Sequence, residues 1–295
     1  METKQFCYRK ANFQISKAPT FVEDSSKKLK KIKKQIKQNI KHIDKAQAKM
    51  NARHEYSILI VLQGMDAAGK DSMVKHILSG VNPSGFNVAS FKQPTAEELN
   101  HDYLWRVNRE LPPRGHIGVF NRSYYEDVLI SRVHPQIILN DNLPNIHSLT
   151  DIDDHFFENR YKDIRNYEEY LTRNGYVILK FFLHISKDEQ KRRFMARIQT
   201  PKKNWKLSSS DIKERHYWNK YQSVYEKAIN ATATEKNPWY VIPSDDKWYS
   251  RLIVSDILTK RLEKLPLAYP TMSPDQEKEL NLAKQLLQDE DEDKY

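Results

Sequence analysis

Residues 58–71 have the sequence Ile58-Leu59-Ile60-Val61-Leu62-Gln63-Gly64-Met65-Asp66-Ala67-Ala68-Gly69-Lys70-Asp71. The apolar run, the two glycines and the following lysine have the Walker A spacing, which predicts a strand, a phosphate-binding loop and a helix beginning near Lys70. The glycines let the backbone turn so that amide N–H groups converge on one anion, toward which the helix N-terminus also points. We therefore predict phosphate binding by Gly64, Ala67, Ala68, Gly69, Lys70, Asp71 and Ser72.

Two positions in this loop depart from its common form. Asp71 stands where Ser or Thr would offer a hydroxyl to Mg²⁺. Asp66 lies inside the loop, where a carboxylate opposes bound phosphate unless a cation lies between them. The alternative interpretation is an ordinary strand–turn–helix corner with an incidental lysine.

The composition limits the classes of function. The chain has 295 residues and a net charge of +10, which favours polyanionic partners: nucleic acids, acidic membranes or phosphate polymers. The single cysteine, Cys7, excludes an intramolecular disulfide and a multi-cysteine zinc site. No apolar run is long enough to span a membrane, and the first residues lack the apolar core of a secretory signal. We expect a cytoplasmic protein.

Apolar and helical segments alternate after residue 56, which predicts an α/β fold with a parallel five-stranded sheet and helices on both faces. The predicted helices lie near 70–79, 96–109, 123–133, 152–174, 187–199, 210–232 and 246–263. Ligands of such sheets bind beyond the carboxyl ends of the strands. The predicted strands are Ser57–Gln63, Phe86–Phe91, Ile117–Asn121, Tyr176–Ile185 and Trp239–Pro243.

The segments at the two ends of the chain differ from this alternation. Residues 1–26 look irregular, and nine lysines lie between Lys27 and Lys45. A stripe at helical spacing predicts a basic amphipathic helix docked on the main domain, with an oligomer seam as the alternative. These lysines either grip a polyanion or only solubilise the helix. The stripe consists of Leu29, Ile32, Ile36, Ile40, Ile43, Ala46 and Met50.

Polar residues follow the third predicted strand. Asn121 occupies the place where phosphate-loop proteins usually carry the Walker B Asp, and it can orient a metal-bound water. Arg122 is suited to bidentate phosphate contact, and Glu126 lies on the next turn. The alternative role of Glu126 is to stabilise the first turn of a helix.

A basic helix–loop–helix covers about residues 187–215 and carries Arg193 and Arg197 four residues apart. Such a segment could fold over bound phosphates as a lid, supplying charge and excluding water. A solvated helical hairpin is the alternative.

These motifs together resemble the family-2 polyphosphate kinases. The similarity is carried by 64–71, by Asn121-Arg122-Ser123-Tyr124-Tyr125-Glu126-Asp127, by Arg192-Arg193-Phe194 with Trp205-Lys206-Leu207-Ser208, and by Asp246-Lys247-Trp248-Tyr249. The resemblance implies a thymidylate-kinase-like P-loop kinase fold with a helical lid. It also implies Mg²⁺-dependent, reversible phosphoryl transfer between inorganic polyphosphate and adenine or guanine nucleotides, with Mn²⁺ as a second candidate metal, and assembly as a homo-oligomer, a dimer or tetramer.

The family context divides the chain into three parts. Residues 1–50 form an N-terminal extension, 51–270 the P-loop kinase domain with its lid, and 271–295 a C-terminal helix with an acidic tail. Glu126 stands where the diphosphate-specific class has Asn, and Asn121 where that class has Asp. The chain therefore looks like the class that takes AMP to ADP and ADP to ATP.

Phosphoryl transfer requires placement and charge neutralisation more than covalent catalysis. We expect Lys70 on the transferred group, Asp66 on Mg²⁺ or the acceptor, and Arg122 and Arg193 on the developing charge. Glu126 would hold a second metal or water, so the predicted metal residues are Asp66, Asn121 and Glu126. The predicted polyphosphate-binding residues are Lys75, Arg122, Arg193, Lys202, Lys203 and Lys206.

Two other functions share parts of this pattern. An ATP-dependent nucleoside monophosphate kinase would have the same loop and lid. The phosphoryl donor, ATP or polyphosphate, distinguishes it from a polyphosphate kinase. A nucleic-acid-binding P-loop NTPase would need a base-stacking surface, whereas the sixteen tyrosines are scattered along the chain. We therefore expect no nucleic-acid partner and no membrane partner.

Overall fold

The computed structural model describes residues 2–23, 29–206 and 208–292 of the chain. Its strands are β1 (Cys7–Tyr8), β2 (Ser57–Gln63), β3 (Phe86–Ser90), β4 (Ile117–Asn121), β5 (Tyr176–His184) and β6 (Trp239–Pro243). Its α-helices are α1 (Leu29–Arg53), α2 (Lys70–Ile77), α3 (Ala96–Leu99), α4 (Trp105–Arg109), α5 (Glu126–Val133), α6 (Asp154–Arg173), α7 (Lys187–Ile198), α8 (Ser209–Glu214), α9 (Trp218–Thr232), α10 (Lys247–Glu263) and α11 (Pro274–Glu292).

The strands form one mixed sheet in the order β1-β6-β5-β2-β4-β3. β2 lies at its centre and is buried along its whole length, as expected of a parallel strand covered on both faces. Leu59 of β2 pairs with Gly118 of β4 on one side and with Ile178 of β5 on the other. The carboxyl ends of β2, β4 and β5 therefore meet at one edge of the sheet.

The prediction of a five-stranded, wholly parallel sheet is wrong in one respect. The five predicted strands are present and parallel to one another, but β1 adds a sixth that runs antiparallel to β6. The expectation that residues 1–26 look irregular misses this strand. A two-residue strand is too short to show periodicity, and pairing with β6 alone defines it.

Two predicted helices are interrupted. The segment 96–109 contains α3 and α4, because Asp102 accepts a hydrogen bond from the Leu104 amide over 2.9 Å and starts a new turn. The segment 210–232 contains α8 and α9, separated by the 3-10 turn Arg215–Tyr217. α5 begins at Glu126 rather than at 123, so the residues between β4 and α5 form a turn.

Helices pack in two groups. α1 lies along α10, which also contacts α2, while α5, α6 and α9 pack with one another. Ile32, Ile36 and Ile43 of α1 are buried, and Asn39 donates hydrogen bonds to Ser255 Oγ and Asp256 Oδ1 over 2.9 and 2.6 Å. Of the segment that holds the nine lysines, Lys27 and Lys28 lie outside the described residues.

The C-terminal helix α11 is exposed along its described length. Residues 293–295, which belong to the predicted acidic tail, lie outside the described residues. None of the described helices is long and apolar enough to cross a membrane. The boundaries at residues 50 and 270 stay a prediction.

Candidate active site

The loop between β2 and α2 depends on its two glycines. A Cβ built on Gly64 would lie 2.8 Å from the carbonyl oxygen of Leu183, so the close approach of β5 requires glycine. Gly69, at the N-cap of α2, has φ +109°, a conformation that L side chains rarely adopt. The strand, loop and helix therefore follow one another as the spacing predicts.

Lys70 begins α2 and folds back over the loop. Its ammonium donates hydrogen bonds to the carbonyl oxygens of Gly64 and Met65, the latter over 3.3 Å. Burial lowers the pKa of Lys70, and the nearby Asp66 carboxylate opposes part of that shift. The ammonium is thus held at the loop by carbonyl oxygens and an acid of the same segment.

Arg193 of α7 is 5% exposed and fastens the loop to its surroundings. Its Nη1 donates to the carbonyl oxygens of Ala67 and Ala68 over 2.9 and 3.0 Å. Its Nε donates to Glu189, and its Nη2 donates to the carbonyl oxygens that follow β6, at residues 244 and 245. An Arg side chain has five N–H donors. In this conformation all five have protein acceptors, so Arg193 orients the loop.

Arg122 comes directly after β4 and faces Asp66 across the site. Its Nη2 lies 3.2 Å from Asp66 Oδ1, and its backbone has the left-handed φ of 65°. Burial lowers the pKa of Arg122, but the carboxylates of Glu126 and Asp66 outweigh it and the pKa is raised. The structure therefore brings Asp66, Lys70, Arg122 and Glu126 into one electrostatic group.

Glu126 opens α5 beside this group. Burial raises its pKa, against the opposing effects of Arg122 and Lys70. Gln63, the last residue of β2, contacts Glu126 and donates from Nε2 to Ser123 Oγ over 3.1 Å. Sequence reasoning did not single out Gln63, although its place at the end of the central strand is a usable signal.

Asn121 ends β4 and contacts the start of α2. Its Nδ2 donates to Asp71 Oδ1 over 2.8 Å, while its Oδ1 is buried without a hydrogen-bond partner among the described residues. An unpartnered buried oxygen is costly unless a ligand, ion or water satisfies it. No group of three or more His, Cys, Asp or Glu side chains in the described part of the chain could hold a metal by itself.

A cleft of about 1190 Å³ opens over the loop, α2 and α7. Lys75 lies in it as predicted, and so do Arg192, Lys247 and Arg251. Burial lowers the pKa of Lys247 and of Arg251, and the positive charge of Arg193 lowers both further. Arg192, Lys247 and Arg251 therefore form an anion-binding wall, because a bound phosphate would relieve the repulsion that Lys247 and Arg251 experience from neighbouring cations.

Sequence reasoning assigned no role to Lys247 and Arg251. They lie four residues apart at the start of α10, directly after β6, and that position was the available signal. Arg251 donates to Ser72 Oγ over 2.7 Å and lies over the Trp248 ring at 4.4 Å. Lys33 of α1 lies on the same ring at 4.5 Å, so the basic helix reaches the rim of the cleft at this point.

The segment predicted as a lid forms α7, a 3-10 helix at residues 201–206, and α8, whose N-cap Ser208 forms a capping box with Asp211. Arg197 and Asp211 line the cleft. Lys202 is exposed and is not among the lining residues. The side chains of Lys203 and Lys206 lie outside the described residues, so their predicted role in polymer binding stays a prediction.

Comparison with known proteins gives consistent results. The family model described as Polyphosphate kinase 2 matches residues 25–267. The chain is 45% identical over 288 residues to the ADP-polyphosphate phosphotransferase of Rhodopseudomonas palustris, covering 97% of this chain and 99% of that protein. It is also 45% identical over 230 residues to the AMP/ADP-polyphosphate phosphotransferase of Meiothermus ruber, covering 78% and 80% of the two chains. The crystal structure of Polyphosphate Kinase 2 from Arthrobacter aurescens TC1 superposes with a TM-score of 0.85 at 34% identity, covering 96% of this chain and 97% of that chain.

Proposed function

Because this chain belongs to the polyphosphate kinase 2 family, we propose that it transfers phosphoryl groups from inorganic polyphosphate to ADP and to AMP. The observation that carries this proposal is the polarity of the cleft. One part of the cleft is lined by the cations Arg192, Lys247 and Arg251, and burial and neighbouring cations lower the pKa of Lys247 and of Arg251. Arg122, which also lines the cleft, is balanced by the carboxylates of Glu126 and Asp66. A polyanionic donor suits the part with the first three cations, and a nucleotide phosphate suits the region around Arg122.

The proposed fold is that of a P-loop kinase related to thymidylate kinase, with α7 and α8 as its lid. The strand–loop–helix formed by β2, residues 64–69 and α2 supports it, as does the mixed sheet with helices packed in two groups. Because Arg197 and Asp211 come from the lid and line the cleft, closure of this segment would exclude water. Water would otherwise compete with the acceptor.

The transfer exchanges one P–O bond for another. The bond between the terminal phosphorus of the polymer and its bridging oxygen breaks, and a nucleotide phosphate oxygen bonds to that phosphorus. The shortened polymer keeps the electron pair. Because the attacking oxygen is already ionised, no general base is needed. Loop amides, Lys70 and Arg122 hold the phosphates in line and offset the charge on the transferred group.

A divalent cation fits beside the loop. Asn121 Oδ1 is an unpartnered buried oxygen there, and Asp66 and Asp71 supply carboxylates from the loop and from the start of α2. Mg²⁺ typically takes one or two carboxylates and completes its shell with water and substrate phosphates, which suits a site with so few protein ligands. When bound, Mg²⁺ or Mn²⁺ would neutralise phosphate charge. Asn121 and Glu126 would then orient its water ligands.

The acceptor range rests on Glu126. The two relatives at 45% identity carry different acceptors in their names, ADP in one and AMP/ADP in the other. Glu126 adds a carboxylate within electrostatic reach of Arg122 and Lys70. There it could hold a water molecule or a second cation beside AMP, which has one phosphate fewer than ADP. Glu126→Asn should therefore reduce AMP phosphorylation more than ADP phosphorylation. Equal losses would contradict this role.

Lys70→Ala tests the proposed function. ATP formation from ADP and polyphosphate should fall by about a hundredfold or more, because the substitution removes the ammonium group that offsets the charge of the transferred phosphoryl group. Lys162→Ala, on the exposed face of α6, is the matched control and should keep full activity. Circular dichroism checks that both variants are folded. Near-wild-type turnover in Lys70→Ala would contradict the assignment.

A matrix of donors and acceptors separates this proposal from an ATP-dependent nucleoside monophosphate kinase. Polyphosphate or ATP is supplied with AMP, ADP, GMP or GDP, and product nucleotides are quantified. Turnover that requires ATP and ignores polyphosphate would favour the other kinase. Homo-oligomer assembly and cytoplasmic location stay predictions, the first checked by light scattering of the purified protein.

A further inference from the structure

A buried ion pair joins β5 to α6, away from the residues that line the cleft. Lys180, in the middle of β5, is 0% exposed, and Glu168 of α6 is 1% exposed. Their Nζ and Oε2 atoms are 2.7 Å apart. Removing two charges from water costs several kcal/mol per ion, so such a pair is weak evidence for a gain in stability. Its place in the fold therefore needs another explanation.

Every donor of this lysine has an acceptor. Lys180 Nζ donates to Glu168 Oε2, to the carbonyl oxygen of Thr232 over 2.9 Å and to Tyr125 Oη over 3.2 Å. Glu168 Oε1 in turn accepts from Tyr124 Oη over 3.0 Å and from Tyr125 Oη over 2.8 Å. The network has one consistent set of proton positions, since the Tyr125 hydroxyl both accepts from Lys180 and donates to Glu168.

The two tyrosines belong to the corner between β4 and α5. They lie between Arg122, whose backbone is left-handed, and Glu126, which begins α5. Tyr125 also packs edge-on against Trp239 of β6 at 4.7 Å. Side chains from α6, β5 and β6, with the end of α9, thus hold two of the three residues that separate Arg122 from Glu126.

We infer that the Lys180–Glu168 pair is a positioning device that fixes the Tyr124–Tyr125 step and, through it, sets Arg122 and Glu126 for phosphoryl transfer. An apolar pair of similar volume would fill the same space, but it would remove the carboxylate oxygen that accepts from both hydroxyl groups. Angstrom-scale misplacement of a charged group is enough to reduce turnover by about two orders of magnitude. The inference rests on the proposed function, because Arg122 is the group being positioned.

The test is a mutant cycle on the full chain. Lys180→Met with Glu168→Leu removes both charges, and it is combined with Arg122→Ala. In the wild-type background we expect kcat to fall at least tenfold, while KM for ADP and the denaturation midpoint change little. In the Arg122→Ala background the same double substitution should cause a clearly smaller fall, the part that passes through Glu126. A full additional loss there, or an unchanged kcat in the folded double variant, would overturn the inference.

Two further variants keep the test decisive. If the double variant does not fold, Tyr125→Phe removes only the hydroxyl and should still lower kcat, and an unchanged kcat would count against the inference. Ser255→Ala is the matched control, because it removes a buried hydrogen bond between α1 and α10, away from the corner, and should lower stability without changing kcat.

Failure of the proposed function gives a different pattern. Wild-type protein without turnover on polyphosphate contradicts the proposed donor, and the cycle is then measured on kcat with ATP as the donor and AMP as the acceptor. Coupling between the pair and Arg122 in that kcat supports the positioning role independently of the polyphosphate donor. Additive effects on that kcat would contradict it.

Discussion

Asn121 and Asp71 join the end of β4 to the first turn of α2 through a hydrogen bond of 2.8 Å between Nδ2 and Oδ1. The contact takes the place of the hydroxyl and carboxylate that phosphate loops commonly bring to this position. An amide can donate to a carboxylate without a cation between them, whereas two carboxylates repel each other unless a cation lies between them. The two departures from the common pattern, Asp71 and Asn121, therefore compensate each other.

Asn121→Asp should make the protein depend more strongly on a divalent cation. Loss of the hydrogen bond and the added like charge should cost about 1 kcal/mol without metal, or about 2–4 °C in Tm. Added Mg²⁺ should raise Tm more in this variant than in wild type. Thermal unfolding with EDTA and with Mg²⁺ measures both effects. Asn121→Ala is the control, and an equal Mg²⁺ response in the two variants would contradict this account.

Neighbouring arginines on α7 should respond differently to substitution. Arg193→Lys leaves at least two of the five acceptors of Arg193 without a donor, so stability should fall by about 2–4 kcal/mol and kcat should fall with it. Arg192 is exposed and bonded to Glu189, so Arg192→Ala should change stability by less than about 1 kcal/mol and mainly raise KM for polyphosphate. Urea unfolding and steady-state kinetics separate the two. The reverse pattern would show that the direct phosphate contact belongs to Arg193.

Lys247→Gln should weaken polyphosphate binding and reduce its dependence on salt. Each phosphate contact contributes about 0.7 to the slope of log K against log salt for single-stranded nucleic acids, and the same counterion release applies to a flexible polyphosphate. KM for polyphosphate, measured between low and moderate salt, should therefore rise in the variant and vary less steeply. Lys162→Gln, on the exposed face of α6, is the control. An unchanged slope in Lys247→Gln would show that Lys247 does not contact the polymer.

His184 should lower the free energy of unfolding of the protein in mild acid. Burial lowers the pKa of this imidazole below its usual 6.5, and Nδ1 has no hydrogen-bond partner among the described residues. The unfolded chain then binds more protons than the folded one below pH 6.5, so stability is fully present above that pH and is lost as the pH falls. His184→Gln should flatten the dependence between pH 7.5 and 5.5. Urea midpoints across this range provide the measurement, and parallel curves would exclude His184 as a source.

Much of the fold could be predicted because its signals are local. β2, β4 and β6 are short apolar runs between turn-forming segments, and their predicted bounds agree with the structure. β1 could not be predicted in the same way, since two residues have no period of their own and only β6 makes them a strand. The intrinsic strand propensity of Cys7 and Tyr8 is too weak to form a strand without pairing to β6.

The site was predictable where its chemistry follows a motif. Asp66, Lys70, Arg122 and Glu126 come together as expected because their strands are neighbours in the sheet. Lys180 could not be foreseen as part of the site's support. Its sequence context is an apolar strand, and its partner Glu168 belongs to a different element, so only packing reveals why a lysine lies there.

The only cysteine of the chain, Cys7, lies in the short edge strand β1, where its thiol is hydrogen-bonded to Tyr240 and Arg9. Because β1 contributes two residue pairs to the edge of β6, its separation from the sheet is a local event that requires no global unfolding. Cys7 is partly exposed, so a thiol-reactive dye can reach it, and its labelling would accelerate whenever the strand opens. The wild-type protein thus contains its own spectroscopic reporter of edge fraying, with no cysteine to add or remove.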